Sequence, residues 1–170
     1  MGNSAKTTES ADAKQSGDPR VPAGGETPAV RKRLQFEILR SAFYHDMRQT
    51  TLMRIHQFAL FFTVVLGSGA IAALGTAFPM FGQMAGAAVA AIGAGQLVWD
   101  FGGSARDHGD LRRRFYSLLA EAESDGDVPD IYRRMTLIYA DEPPVKLRVN
   151  KKAHNRAGDT IYGEGEFHRA

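Results

Sequence analysis

The sequence predicts an all-α protein: a two-helix transmembrane hairpin with cytoplasmic helical extensions before and after it. Three observations carry this reading. Ile55 to Trp99 is a run of 45 residues without one Asp, Glu, Lys or Arg. Arginines stand on both flanks of that run, while its middle carries no charge. Outside the run, apolar residues recur every three or four positions, the spacing of one helix face. A spanning helix needs about 20 apolar residues to cross about 30 Å of hydrocarbon, so the run is long enough for two passes.

Residues 1–29 read as a disordered tail. Ser, Thr, Gly, Pro and Ala dominate, no aromatic appears, and Pro19, Pro22 and Pro28 exclude a regular helix. The tail has no apolar signal-peptide core, so the hairpin itself is expected to act as the insertion signal. Its start, Met1-Gly2-Asn3-Ser4-Ala5-Lys6, misses the myristoylation pattern because Lys6 stands where Ser or Thr is needed.

A two-transmembrane domain is expected over 30–155. Its first helix, 30–57, carries Phe36, Leu39, Phe43 and Met47 on one face. Leu34, Ile38 and Ala42 make a second, weaker stripe, and a helix apolar on two sides touches more than one neighbour. The first span, 58–78, is bulky early (Phe58, Phe61, Phe62) and small late (Gly67, Ser68, Gly69, Ala70). Glycines that weaken a helix in water are common in lipid, where they allow close packing. The turn is expected where Pro79 and Gly82 lie.

The second span, 81–99, is smaller still. Gly82, Gly86, Ala90 and Ala94 fall every four residues, a spacing that serves helix packing, either on the first span or between copies of the chain. Gln83 and Gln96 here, with Ser68 in the first span, are polar residues at membrane depth. They would either reach headgroups at the interface or line a wet lumen in an oligomer. Arg48 and Arg54 precede the hairpin, and Arg106, Arg112, Arg113 and Arg114 follow it, as membrane-surface basic residues. The positive-inside rule then places both termini in the cytoplasm, in a multi-pass protein of the inner (plasma) membrane, with Trp99 at the inner interface.

After the membrane, Asp100 to Ser124 reads as helical with a weak point at Gly102-Gly103, and Leu111, Phe115, Leu118, Leu119 and Ala122 form the apolar stripe of its cytoplasmic part, 104–123. Turn chemistry at Ser124 to Asp127 leads to a short helix over 129–140, with Ile131, Met135 and Ile138 on one side. One or two further turns are expected between Val145 and Asn155, and a flexible tail over 156–170.

Composition narrows the function. A net charge of +2 and a pI near 9.0 are too weakly basic to argue for nucleic acid. No cysteine means no disulfide framework, thiolate metal site or cysteine nucleophile. His56 and His108 flank the spans at one expected depth, but no HxxxH or HExxH spacing supports a metal. Asp125 and Asp127 lack the other ligands of a calcium loop. No catalytic constellation or cofactor site is read, so the chain is not expected to be an enzyme.

Four features resemble the SLATT domain, the two-transmembrane effector domain associated with SMODS nucleotidyltransferases and SLOG nucleotide sensors in bacterial conflict systems. They are FYHDMR (Phe43 to Arg48), the close hairpin, SARDHGDLRRRFYSLLAEAE (Ser104 to Glu123) and EPPVKLRVNKKAHN (Glu142 to Asn155). The resemblance implies a pore-forming or membrane-disrupting effector of an anti-phage system, working as a homo-oligomer in membrane lipid. It implies a packing role for Phe43, His108, Leu111, Phe115 and Asn155 in a cytoplasmic bundle. This chain has no fused sensor, so its trigger is expected from a separate nucleotide-sensing or signal-generating protein. The alternative function is a membrane-anchored scaffold whose basic cytoplasmic helices recruit a protein or anionic lipid.

Overall fold

The computed structural model describes residues 27–124 and 126–164, with the backbone alone for 69–71. Most of the expected leader, Asp125, and the last six residues of the expected C-terminal tail lie outside the described residues. Among the described residues six helices follow one another: α1 (Pro28–Leu66), α2 (Gly69–Ala77), α3 (Pro79–Trp99), α4 (Phe101–Glu123), α5 (Val128–Ala140) and α6 (Leu147–Tyr162). The all-α class holds among the described residues.

Local chemistry sets the boundaries. Thr27 caps α1, its side chain accepting from the Val30 amide, and Pro28 takes the first turn, where its missing N–H costs nothing. α1 then continues for 39 residues to Gly67. The expected first span is therefore not one helix. Gly67 and Ser68 interrupt it, with the Ser68 backbone extended, and α2 begins at Gly69. Glycine makes this a weak point of the helix, and the path of α2 back onto α3 places the break there. The turn into α3 is a single residue, Phe78, followed by Pro79 at the first helical position. Gly82 belongs to α3 and not to the turn.

α3 ends at Asp100, whose backbone is left-handed (φ 34°, ψ 59°). Its carboxylate accepts from the Gly103 amide at 2.9 Å and caps α4. The interruption thus sits at Asp100, while Gly102 and Gly103, the expected weak point, are helical. A left-handed L-residue costs about 1 kcal/mol, least for Asp and Asn. α5 is capped by Asp127, accepting from the Asp130 amide.

The core lies at one end. α1 packs against α4, α5 and α6. Leu34, Ile38 and Ala42, the weaker stripe by sequence, are fully buried at 0% exposure. Phe36, Leu39 and Phe43 are buried as well. From α4 come Leu111, Phe115, Leu118, Leu119 and Ala122, and from α5 Ile131 and Met135. α6 runs past the expected Asn155 to Tyr162, because Ala153 and Ala157 bury a face on α1. Tyr162 and His154 close against Phe36, and the Arg156 guanidinium lies 4.2 Å over the Phe43 ring.

Facing pairs show how the chain retraces itself. Gln35 reaches Ala122, Gln49 lies on Gly109, His56 on Gly102, and Gly75 on Gly82. The chain from α3 into α4 thus runs antiparallel to the chain from α1 into α2, in nearly one register from core to turn. Among the described residues one stretch, Pro79–Glu123, is long and apolar enough to cross a membrane, and almost none of its apolar window is covered.

Candidate functional site

Two features stand apart from ordinary core packing. One is a mainly apolar groove in the apolar half that carries three polar side chains, and the other is a buried chain of two histidines and a glutamate.

The apolar half begins where α1 leaves the core at Leu52. Beyond it Phe58, Phe61, Val64, Phe78, Met80, Met84, Leu97 and Trp99 are all exposed. Gly75 and Gly82 hold α2 against α3. A Cβ on either would stand 3.0–3.1 Å from the other's Cα, so only glycine allows this approach. Beside it opens a groove of about 550 Å³, lined by Leu66, Ser68, Thr76, Gln83 and Gly86 among others. Thr76 turns its hydroxyl back to the Ala73 carbonyl at 2.7 Å. Ser68 and Gln83 are the other polar side chains that line it.

The structure therefore brings Ser68 and Gln83 together and leaves Gln96 apart, half-buried at the other end of α3. The stripe of small residues divides too. Gly82 is used within the chain. A methyl at Gly86 would meet nothing within 4 Å, and Ala90 and Ala94 are exposed.

The histidine chain sits in the core. His45 (0% exposed) is stacked on Phe115, with ring centroids 5.6 Å apart, and meets Tyr44 edge-on. Its Nδ1 lies 2.8 Å from Nδ1 of His108, which is 4% exposed. Its Nε2 lies 3.0 Å from Oε1 of Glu142. The carboxylate accepts from His45 Nε2–H, so a neutral His45 must accept at Nδ1 and His108 must donate there. One proton fits between the two Nδ1 atoms, and the contact excludes the state with both rings charged. Burial first, then His45 and the Arg48 guanidinium, push the His108 pKa down to about 4.

This chain joins three elements. His45 is on α1, His108 on α4, and Glu142 in the α5–α6 connector. The connector is also held by the Lys146 amide, which donates to Tyr44 Oη at 3.0 Å, and by Arg114 on Asp141 at 2.7 Å. Next to it Ser41 and Tyr139 share a hydroxyl–hydroxyl bond of 3.1 Å. The arrangement can hold and move a proton, but rings this deeply buried offer a substrate little surface. Among the described residues, no three His, Asp or Glu side chains gather to hold a metal ion.

The other sequence candidates separate by role. Phe43, His108, Leu111 and Phe115 are buried, and Asn155 is half-buried on α6. Of the arginines, Arg112 pairs with Asp46, Arg113 with Asp110 and Arg114 with Asp141. Those three are engaged with carboxylates of the chain, while Arg54 and Arg106 point outward and Arg48 is half-buried. Sequence reasoning sets His108 beside His56, but His56 packs on Gly102 and the partner is His45. His45 and Glu142 both lie inside the motifs quoted above, and that is the signal the sequence offers for them. Compared with protein families, curated proteins and solved structures, the chain finds no match.

Proposed function

We propose that this chain is a small two-pass integral membrane protein that oligomerises to form a pore or disrupt the membrane, in a bacterial conflict system, with both termini cytoplasmic. The observation that carries the reading is the contrast between its halves. One half buries a conventional core, and the other, from Phe58 to Trp99, presents apolar side chains with nothing over them. An apolar surface of that extent marks a lipid or protein interface. The return leg α3, at 21 residues, is about 32 Å long, which matches the hydrocarbon thickness. The end of α1 and α2 together supply a leg of similar length, broken at Gly67-Ser68. The absence of charge between two arginine-bearing flanks supports the N-in, C-in orientation. Ser68 and Gln83, in one groove beside the open Gly86 face, are the residues that copies of the chain would turn to a lumen.

The test is inducible expression with a potential-sensitive dye, with and without the genomic neighbours. Depolarisation in the wild type that is lost in Gly86→Leu is the expected result. Intact potential under every condition removes the pore. A membrane-anchored scaffold is the second reading, favoured by the exposed basic face of Arg148, Lys151 and Lys152 on α6. It predicts a complex recoverable in detergent and no conductance.

A further inference from the structure

The turn between α2 and α3 is unlike a turn that meets water. Connections in water favour Gly, Asn, Asp and Ser. Here the chain reads Ala77-Phe78-Pro79-Met80-Phe81, without one polar side chain. Phe78, Met80 and Phe81 are all exposed, Met80 to 77%. Before the turn, Thr76 gives its hydroxyl back to the Ala73 carbonyl. After it, Gln83 lies about 6 Å behind Pro79 along α3. The uncovered apolar surface of the hairpin therefore continues over its tip without a polar break.

The backbone of the turn is closed as well. The Phe78 N–H donates to the Leu74 carbonyl at 2.9 Å, and the Phe78 carbonyl accepts from the Phe81 and Gly82 amides at 3.0 and 3.2 Å. Pro79 has no N–H to satisfy. In hydrocarbon a backbone polar group must find its partner within the chain, and this one-residue connection uses both of its own. Length adds an independent constraint. From Trp99 to Pro79 α3 rises about 30 Å. That equals the hydrocarbon core, whereas the bilayer with its headgroups is about 40–45 Å thick. With Trp99 at the inner interface, the turn reaches the far edge of the hydrocarbon and stops about 5–7 Å short of the far aqueous side.

We propose that this turn is a lipid-embedded tip: Phe78, Met80 and Phe81 pack among the acyl chains of the far leaflet, and the hairpin does not emerge into water there. The described chain then meets aqueous partners on the cytoplasmic side alone, and a protein that triggers it acts from that side. The proposal rests on the membrane reading of the apolar half.

The chain has one tryptophan and no cysteine, so a single reporter can be placed at the tip. Phe78→Trp and Met80→Trp are each combined with Trp99→Phe, and the full chain is reconstituted in phosphatidylcholine vesicles. Most of the tip emission is expected to be lost to phosphatidylcholine brominated on its acyl chains, and none of it to iodide supplied on both sides of the membrane. Met80→Cys in the otherwise native chain avoids the preference of a new tryptophan for the interface. It is expected to react with a membrane-impermeant maleimide, supplied on both sides, only after detergent is added. In protein that floats with the vesicles, iodide quenching at both tip positions, or labelling of Met80→Cys without detergent, would overturn the tip and leave the membrane reading standing. If the protein does not float, the membrane reading fails and takes the tip with it.

Discussion

His45 Nδ1 lies 2.8 Å from His108 Nδ1, and Glu142 holds the far side of the His45 ring. The His108 pKa is near 4 in the folded chain and 6.5 when unfolded. Between these values the unfolded chain binds more protons, so acid removes stability as pH falls from about 6.5 to about 4. Above 6.5 this group gives no slope. The loss is at most roughly 3 kcal/mol. His154, whose pKa burial and Arg40 lower in turn, adds to the same slope. Denaturant melts across this pH range are expected to show it, and His108→Gln should flatten most of it. A wild-type midpoint that does not move between pH 7 and 4.5 would refute the assignment.

Glu142→Ala leaves the His45 Nε2–H buried without its acceptor, at a cost of about 1–3 kcal/mol. Hydrogen exchange checks where the cost falls. The Lys146 amide, held by Tyr44 Oη, should exchange faster in this variant, because the connector loses one of its attachments to α1. Unchanged protection at Lys146 would mean that the remaining contacts of the connector suffice.

Gly82→Ala places a methyl 3.0 Å from the Gly75 Cα and should destabilise the detergent-solubilised protein by about 1–3 kcal/mol. Gly86→Ala meets nothing within 4 Å in the chain and, by helix propensity, should be neutral or slightly stabilising. Thermal melts of the two variants side by side make the comparison. Equal effects would contradict the close approach of α2 and α3.

At Asp100 the backbone and the cap oppose one another. Asp100→Ala loses the bond to the Gly103 amide and keeps the left-handed strain, for a cost of about 1–2 kcal/mol. Asp100→Gly loses the same bond and relieves the strain, so it should be closer to wild type. A glycine variant less stable than the alanine one would refute this account.

The buried stripe of α4 is legible in the sequence because its five apolar residues share one face and one period. The breaks are less so. Gly67-Ser68-Gly69 is equally compatible with a close-packed lipid helix and with an interruption, and only the tertiary path of α2 back onto α3 decides. α6 reads short because its buried positions are alanines, whose weak apolar signal is easily taken for a polar tail. The His45–Glu142 contact joins residues 97 positions apart, and no local pattern encodes a partner at that distance. The arginines after the hairpin are conspicuous by number alone, and number does not reveal that Asp46, Asp110 and Asp141 already hold three of them.

α1 passes from the core into the apolar half without a joint, a rod about 58 Å long. The path back is made of two helices that meet at the left-handed Asp100. One limb is therefore continuous and the other is jointed. A tilt of α1 caused by loosening α6 at one end is carried along the rod to Phe61 and Phe62 at the other, and α2, seated on α3 through Gly75 and Gly82, ties the return leg to it.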